Sequence, residues 1–125
     1  MTENEISREI VDACFQIHTR YGPGLFESVY EELLSYELRK RNLGVKRQEG
    51  VKLVHEDIIL DKAFRVDLII ENKVIIEIKS VEELKDMHYK QLFTYLKLTN
   101  LKLGLLVNFN VALIKTGIHR IVNKL

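Results

Sequence analysis

One cysteine, one proline and no tryptophan occur in 125 residues. A lone Cys14 excludes a disulfide framework and a cysteine-based zinc site. Its spacing from Ile10 and Ile17 puts it on an apolar helix face, as a small core residue. A single proline and six glycines leave no room for a disordered linker, and neither repeats nor low-complexity tracts interrupt the chain. No apolar run approaches the roughly 20 residues that span a bilayer. The opening stretch, MTENEISREI, lacks the basic and apolar segments of a secretory signal. These absences give the expectation of a cytoplasmic protein without membrane contact. An excess of one charge is also missing: 19 Lys and Arg offset 18 Asp and Glu, a net +1. Charge alone therefore does not announce nucleic-acid binding. The one basic run, Arg39-Lys40-Arg41 followed by Lys46-Arg47, suits a helix C-terminus, where cations oppose the dipole. It also suits a phosphate-facing patch.

The length fits one domain spanning residues 1–125, enough to bury roughly two-thirds of the unfolded surface. Residues 3–20 read as a helix, with Ile6, Ile10, Ala13 and Ile17 at helical spacing and Thr2 and Glu5 as a capping box. Gly22-Pro23-Gly24 stops it. A second helix is expected from about Leu25 to Asn42, with Val29, Leu33 and Tyr36 on one face and Asn42-Leu43-Gly44 as its stop. Residues 45–54, 58–70 and 74–80 then favour strands through their β-branched content. A third helix is predicted over 82–99, with Leu84, Leu92, Leu96 and Leu98 as its apolar contacts. A buried strand over 103–109 follows, then a short one over 118–122. The order ααβββαβ(β) implies an α/β (α+β) architecture, a mixed central sheet flanked by helices.

Within this pattern, FRVDLIIENKVIIEIKS at 64–80 is anomalous. It reads as a hairpin, yet Asp67, Glu77 and Lys79 interrupt runs of Val, Leu and Ile. Burying an ion costs several kcal/mol or more, in order of magnitude, unless it is paired or binds a metal. Glu77 and Lys79 are two apart and share a strand face. A three-residue loop, 71–73, puts Ile70 opposite Val74 and Asp67 opposite Glu77; a two-residue loop destroys that pairing. Two carboxylates so close repel, and a divalent cation removes the repulsion. Oxygen ligands suit Mg²⁺ or Mn²⁺, and Lys79 is placed to orient a water or steady a phosphate. The simpler reading is a satisfied salt bridge between Lys79 and Asp67 or Glu77 on a solvated face.

Two further stretches bear on the choice. GLFESVY at 24–30 puts Glu27 in the first turn of the second helix, where acids are favoured. QLFTY at 91–95 puts Gln91 and Tyr95 one turn apart on the third. An acid on a helix, then Asp67, then Glu77-Ile78-Lys79, then Gln91 and Tyr95: this order resembles the PD-(D/E)XK nuclease superfamily. Within it, Gly24, Glu27 and Tyr30 resemble the motif of the GxxExxY family. The likeness covers nearly the whole chain, to the NFN at 108–110, although Val66 stands where the superfamily's proline would be. The resemblance implies a restriction-endonuclease-like core and a metal-dependent nuclease. Asp67, Glu77 and the Ile78 carbonyl would be metal ligands, Glu27 a further acid completing the site, and Lys79 the residue that handles water. Gln91 and Tyr95 would line the site and meet the nucleic-acid backbone, with Tyr30 part of the same set. Arg65, sharing a face with Asp67, would meet a phosphate, and His88, one turn before Gln91, would edge into the site. DNA rather than RNA is the expected partner. A second copy or a protein partner would supply the surface that 125 residues lack for gripping a duplex. The rival reading is a catalytically silent module that keeps the fold and binds nucleic acid or protein.

Overall fold

Thr2 opens the first helix: its hydroxyl accepts the Glu5 N–H at 3.2 Å, and the Glu5 carboxylate accepts the Thr2 N–H at 3.0 Å. In this computed structural model, which describes residues 1–125, α1 runs Glu3–Tyr21 and ends at Gly22. Gly22 has a φ of 67°, a backbone state glycine enters without steric cost. There follow α2 (Glu27–Lys40), β1 (Val45–His55), β2 (Ile58–Ile70), β3 (Val74–Lys79), α3 (Asp86–Thr99), β4 (Leu103–Asn108), a 3₁₀ turn (Ile114–Thr116) and β5 (Ile118–Val122). The expected order is thus found with its last strand included. The third helix begins later than residue 82 because residues 81–85 form a loop.

The five strands lie in sequence order, β1-β2-β3-β4-β5. All neighbours are antiparallel except β3 and β4, which are parallel and joined by α3. Each face carries a core. Ile6, Ile10 and Ile17 of α1 and Tyr30, Leu34 and Leu38 of α2 pack on Leu68, Ile70, Ile76 and Ile78. On the other face, Leu92 and Leu96 of α3 pack on Val66, Ile69, Ile75 and Leu106. β4 is buried throughout and β3 nearly so, hence their almost unbroken apolar sequences. Cys14 lies in the first core, where burial pushes its thiol up to about 12. This is the expected mixed sheet flanked by helices.

Two stripes differ from expectation. The buried face of α2 is Tyr30, Glu31, Leu34, Ser35 and Leu38, while Val29 and Tyr36 are exposed. Two of those five are polar, so apolar periodicity points to the wrong side. In α3, Leu98 is likewise exposed and Leu92 and Leu96 carry the packing.

The β2–β3 loop has the predicted three residues: Ile70 faces Val74 and Leu68 faces Ile76. There the ladder stops. The β1–β2 ladder is interrupted at the same level, between the pairs Arg47–Leu68 and Glu49–Val66. Gln48, in that gap, has a φ of 49°, uncommon for a residue with a side chain. The pleat changes phase there. Val45, Leu68 and Ile70 pack toward α1 and α2, whereas Val51, Phe64 and Val66 pack toward α3. Asp67 sits at the turnover.

Candidate functional site

Where the ladder ends, carboxylates take over from backbone carbonyls. The Asp67 N–H donates to Glu77 Oε2 at 2.7 Å, and the Ile78 N–H donates to Asp67 Oδ2 at 2.8 Å. The two acids therefore meet, as the hairpin register predicts. They do so by each bonding the other strand's backbone rather than as a cross-strand pair on one flat face. The opening follows from the phase change: with Val66 turned toward α3, Asp67 is freed from the pleat and reaches across to β3.

Asp67 also faces a cavity of about 440 Å³, lined by Glu27, Ser28, Glu31, Gln48 and Asp67 itself. Glu31, one turn after Glu27, is buried, and its Oε1 accepts from Gln48 Nε2 at 2.6 Å. The same nitrogen lies 3.3 Å from Asp67 Oδ1, so Gln48 ties helix and strand together. Arg47 neutralises Glu31 through Nη2 at 3.1 Å and pairs with Glu32 at 2.6 Å. Sequence reasoning missed Glu31 and Gln48. A signal existed for the first: Glu27 and Glu31 are like charges at i,i+4, an arrangement that destabilises an isolated helix.

Lys79, half-buried at the end of β3, forms no salt bridge with Asp67, Glu77 or any other acid. The satisfied-pair reading of this strand is not what the fold adopts. The next residue anchors the second helix. The Ser80 N–H donates to Glu27 Oε2 at 3.0 Å, and Ser80 Oγ donates to the Leu25 carbonyl at 2.8 Å. Asn108, at the end of β4, holds Val81 at both its N–H (3.1 Å) and its carbonyl (2.9 Å). Lys79 thus leaves the sheet between two fixed points.

The other expected residues separate into groups. Tyr95 is close: its ring stacks on Phe64 at 4.1 Å, and its hydroxyl is pushed up by burial and by the charges of Glu77 and Asp67. Gln91 is exposed one turn earlier, without a hydrogen-bond partner within the chain. Arg65 is exposed beside Gln48. Tyr30 does not line the site. It is fully buried, stacks on Phe109 at 4.2 Å, and its hydroxyl donates to the Gly22 carbonyl at 2.6 Å while accepting the Leu25 N–H at 3.2 Å. In the Gly24–Glu27–Tyr30 motif, then, the tyrosine clamps the GPG loop and the acid holds Ser80. His88, half-buried, caps α3: its Nδ1 accepts the Lys85 N–H at 3.0 Å.

Burial pushes the Glu77 carboxyl up to about 8, and the adjacent Asp67 adds to the shift. Asp67 is raised as well, first by burial and then by Glu31, against the Ile78 N–H that lowers it. Such a pair is poorly compensated without a cation. The donor set fits a hard divalent ion: two carboxylates, each with one oxygen held by a backbone N–H. That suits Mg²⁺, which takes one or two protein carboxylates and fills the rest with water and phosphate. No three acidic or imidazole side chains converge as a ligand set. Glu27, expected as a further acid, lines the same cavity as Asp67, and one of its oxygens, Oε2, accepts the Ser80 N–H.

No helix is long and apolar enough to cross a membrane. No curated protein and no solved structure matches the chain. A family profile does, described as the PD-(D/E)XK nuclease superfamily and matching residues 4–121. With nearly the whole chain matched, and a five-stranded mixed sheet between helices as a restriction-endonuclease-like fold requires, the protein belongs to the PD-(D/E)XK nuclease superfamily.

Proposed function

We propose that this protein is a metal-dependent nuclease of the GxxExxY type that hydrolyses phosphodiester bonds of nucleic acid, with DNA as the first substrate to test. The superfamily is generally dependent on divalent metal. The observation that carries the reading is the meeting of Asp67 and Glu77 with an unpaired Lys79 two residues along the same strand. Asp67 and Glu77 would hold Mg²⁺ or Mn²⁺, with the Ile78 carbonyl as a further ligand and Glu27 closing the shell. Held there, such an ion would supply positive charge to the phosphate and lower the pKa of water. Lys79, which carries donors only, would orient the attacking water and stabilise the negative charge that grows as that water loses its proton. Glu31 and Gln48 fix Asp67, and Asn108 and Ser80 fix the segment that follows Lys79. Tyr95, behind the acids, and Gln91, on the same helix, line the approach of the strand.

The test has two arms. Mn²⁺ and a panel of single-stranded, duplex, flapped and four-way DNA plus RNA are incubated with wild type and Lys79→Ala; cleavage is expected only from wild type. Calorimetric titration with Mg²⁺ or Mn²⁺ is expected to find a site that Asp67→Asn lacks. Nicking retained by Lys79→Ala overturns the assigned role of the lysine. Absence of any metal binding overturns the nuclease reading itself.

A further inference from the structure

A second concavity, of about 290 Å³, adjoins the acidic one and is lined by Gln48, Gly50, Lys62, Phe64 and Arg65. Gln48 is common to both, and it stands 3.3 Å from Asp67. The two cavities are therefore one side chain apart and opposite in sign. One holds Glu27, Glu31 and Asp67; the other holds Lys62 and Arg65. Neither cation forms a salt bridge or a hydrogen bond within the chain, although Asp61 precedes Lys62 and Asp67 follows Arg65 by two residues. Gly50 contributes to this. A Cβ there would stand 3.2 Å from Lys62 Cγ, so the missing side chain lets the lysine stem lie across β1. Phe64, at the base, is backed by the Tyr95 ring.

A polyanion approaching Asp67 and Glu77 meets a cluster of acids that also includes Glu27 and Glu31, of which Arg47 already engages Glu31. The net charge of the chain is +1, so no general field draws nucleic acid in. Attraction has to be local, and Lys62 and Arg65 are the unpaired cations lining the neighbouring cavity. We infer that Lys62 and Arg65 form a phosphate-binding subsite that seats a phosphate of the bound strand next to the one being cut, with Gln48 as the partition between the two positions. This rests on the nuclease reading for its substrate, but the subsite works by charge and needs no metal.

Binding in the absence of divalent ions tests it. Fluorescein-labelled single-stranded and duplex DNA are titrated with protein in EDTA across a range of KCl, reading anisotropy, for wild type, Lys62→Ala/Arg65→Ala, and Lys102→Ala/Lys124→Ala. The last pair lies at the opposite end of β4 and controls for net charge. Each lost phosphate contact is expected to flatten the slope of log K against log salt by about 1, so the Lys62/Arg65 variant should flatten it by about 2 and bind roughly tenfold or more weakly at low salt. The charge-preserving Lys62→Arg/Arg65→Lys should keep the wild-type slope, which separates charge from folding. Equal slopes for the Lys62/Arg65 and Lys102/Lys124 alanine variants overturn the subsite, as does wild type that binds neither DNA. A cleavage assay on the same proteins keeps the two ideas distinct. Cation-dependent binding without cleavage leaves the subsite standing and removes the nuclease; cleavage with unchanged slopes does the reverse.

Discussion

The two ends of the β2–β3 hairpin are built from the same strands and held in different ways. At the loop end, Ile70 and Val74 pair through backbone hydrogen bonds, and their side chains are fully buried beneath α1 and α2. At the other end the ladder has opened, and Asp67 and Glu77 bond the backbone N–H groups that a regular sheet would have matched with carbonyls. A carboxylate can replace a carbonyl there because a charged acceptor bonds a backbone N–H at least as strongly. The substitution brings two carboxyl groups to one place, Glu77 buried and Asp67 half-buried. The loop end is therefore a source of stability, and the open end is a place where stability is given up for chemistry.

The sharpest way to separate the two ends is to change one residue at each. Lys79→Ala, at the open end, should reduce cleavage by about 10²–10⁴-fold, the range for losing a positioned acid–base group, with Tm unchanged within about a degree. Ile70→Ala, at the loop end, should do the reverse. It should lower stability by about 2–5 kcal/mol in urea unfolding, while metal affinity of the folded fraction stays at the wild-type value.

A third change reverses the usual sign of a mutation. The carboxyl of Glu77 is held near 8 in the fold against 4.5 ordinarily. A group whose pKa is raised on folding contributes stability fully below its unfolded pKa and loses it as pH rises through the folded one. The metal-free protein should therefore lose stability between about pH 4.5 and pH 8 through this group. Glu77→Gln, which keeps the acceptor for the Asp67 N–H, should flatten that profile. At pH 8 it should be more stable than wild type by an amount on the order of a few kcal/mol. Thermal unfolding of both proteins across this range checks it. A Tm for Glu77→Gln below that of wild type at pH 8 would show that the buried charge is compensated by something other than metal.

The smallest effect concerns the loop that carries Glu27. Tyr30→Phe removes the hydroxyl that joins Gly22 to Leu25 and should destabilise by about 1 kcal/mol. Activity should fall with it, because Leu25 and Glu27 both bond Ser80. A loss confined to stability would mean that Glu27 is held by α2 alone.

Much of this was readable from the chain, for identifiable reasons. The loop of 71–73 follows from asking which register lets Asp67 and Glu77 meet, and β3 and β4 announce their burial by composition. The phase change at Gln48 and Asp67 was not readable. A glutamine in a left-handed conformation carries no sequence signal, unlike Asn42, Asn72 and Asn100, which adopt it elsewhere, and either phase leaves alternating apolar residues to bury. Glu31 was hidden because a glutamate inside a helix ordinarily faces water, and only its neutralisation by Arg47, from another element, allows it inside. Tyr30 stands in a motif, yet its hydroxyl meets the backbone of Gly22 and Leu25: spacing shows that a residue matters before it shows whether it meets substrate or backbone. His88, one turn before Gln91, also occupies a capping position of α3, a role that helical spacing alone does not reveal.

The outer part of the β1–β2 ribbon takes no part in either core. Residues 54–60 end in a bare turn at Glu56 and Asp57, and Val54, Ile58, Ile59 and Leu60 stand in water. A shortened chain in which Asn-Gly joins Leu53 directly to Leu60 keeps every packed side chain and places the favoured tight-turn residues between two already paired positions. It also sheds the exposed Val54, Ile58 and Ile59, and so is the version to concentrate for crystals.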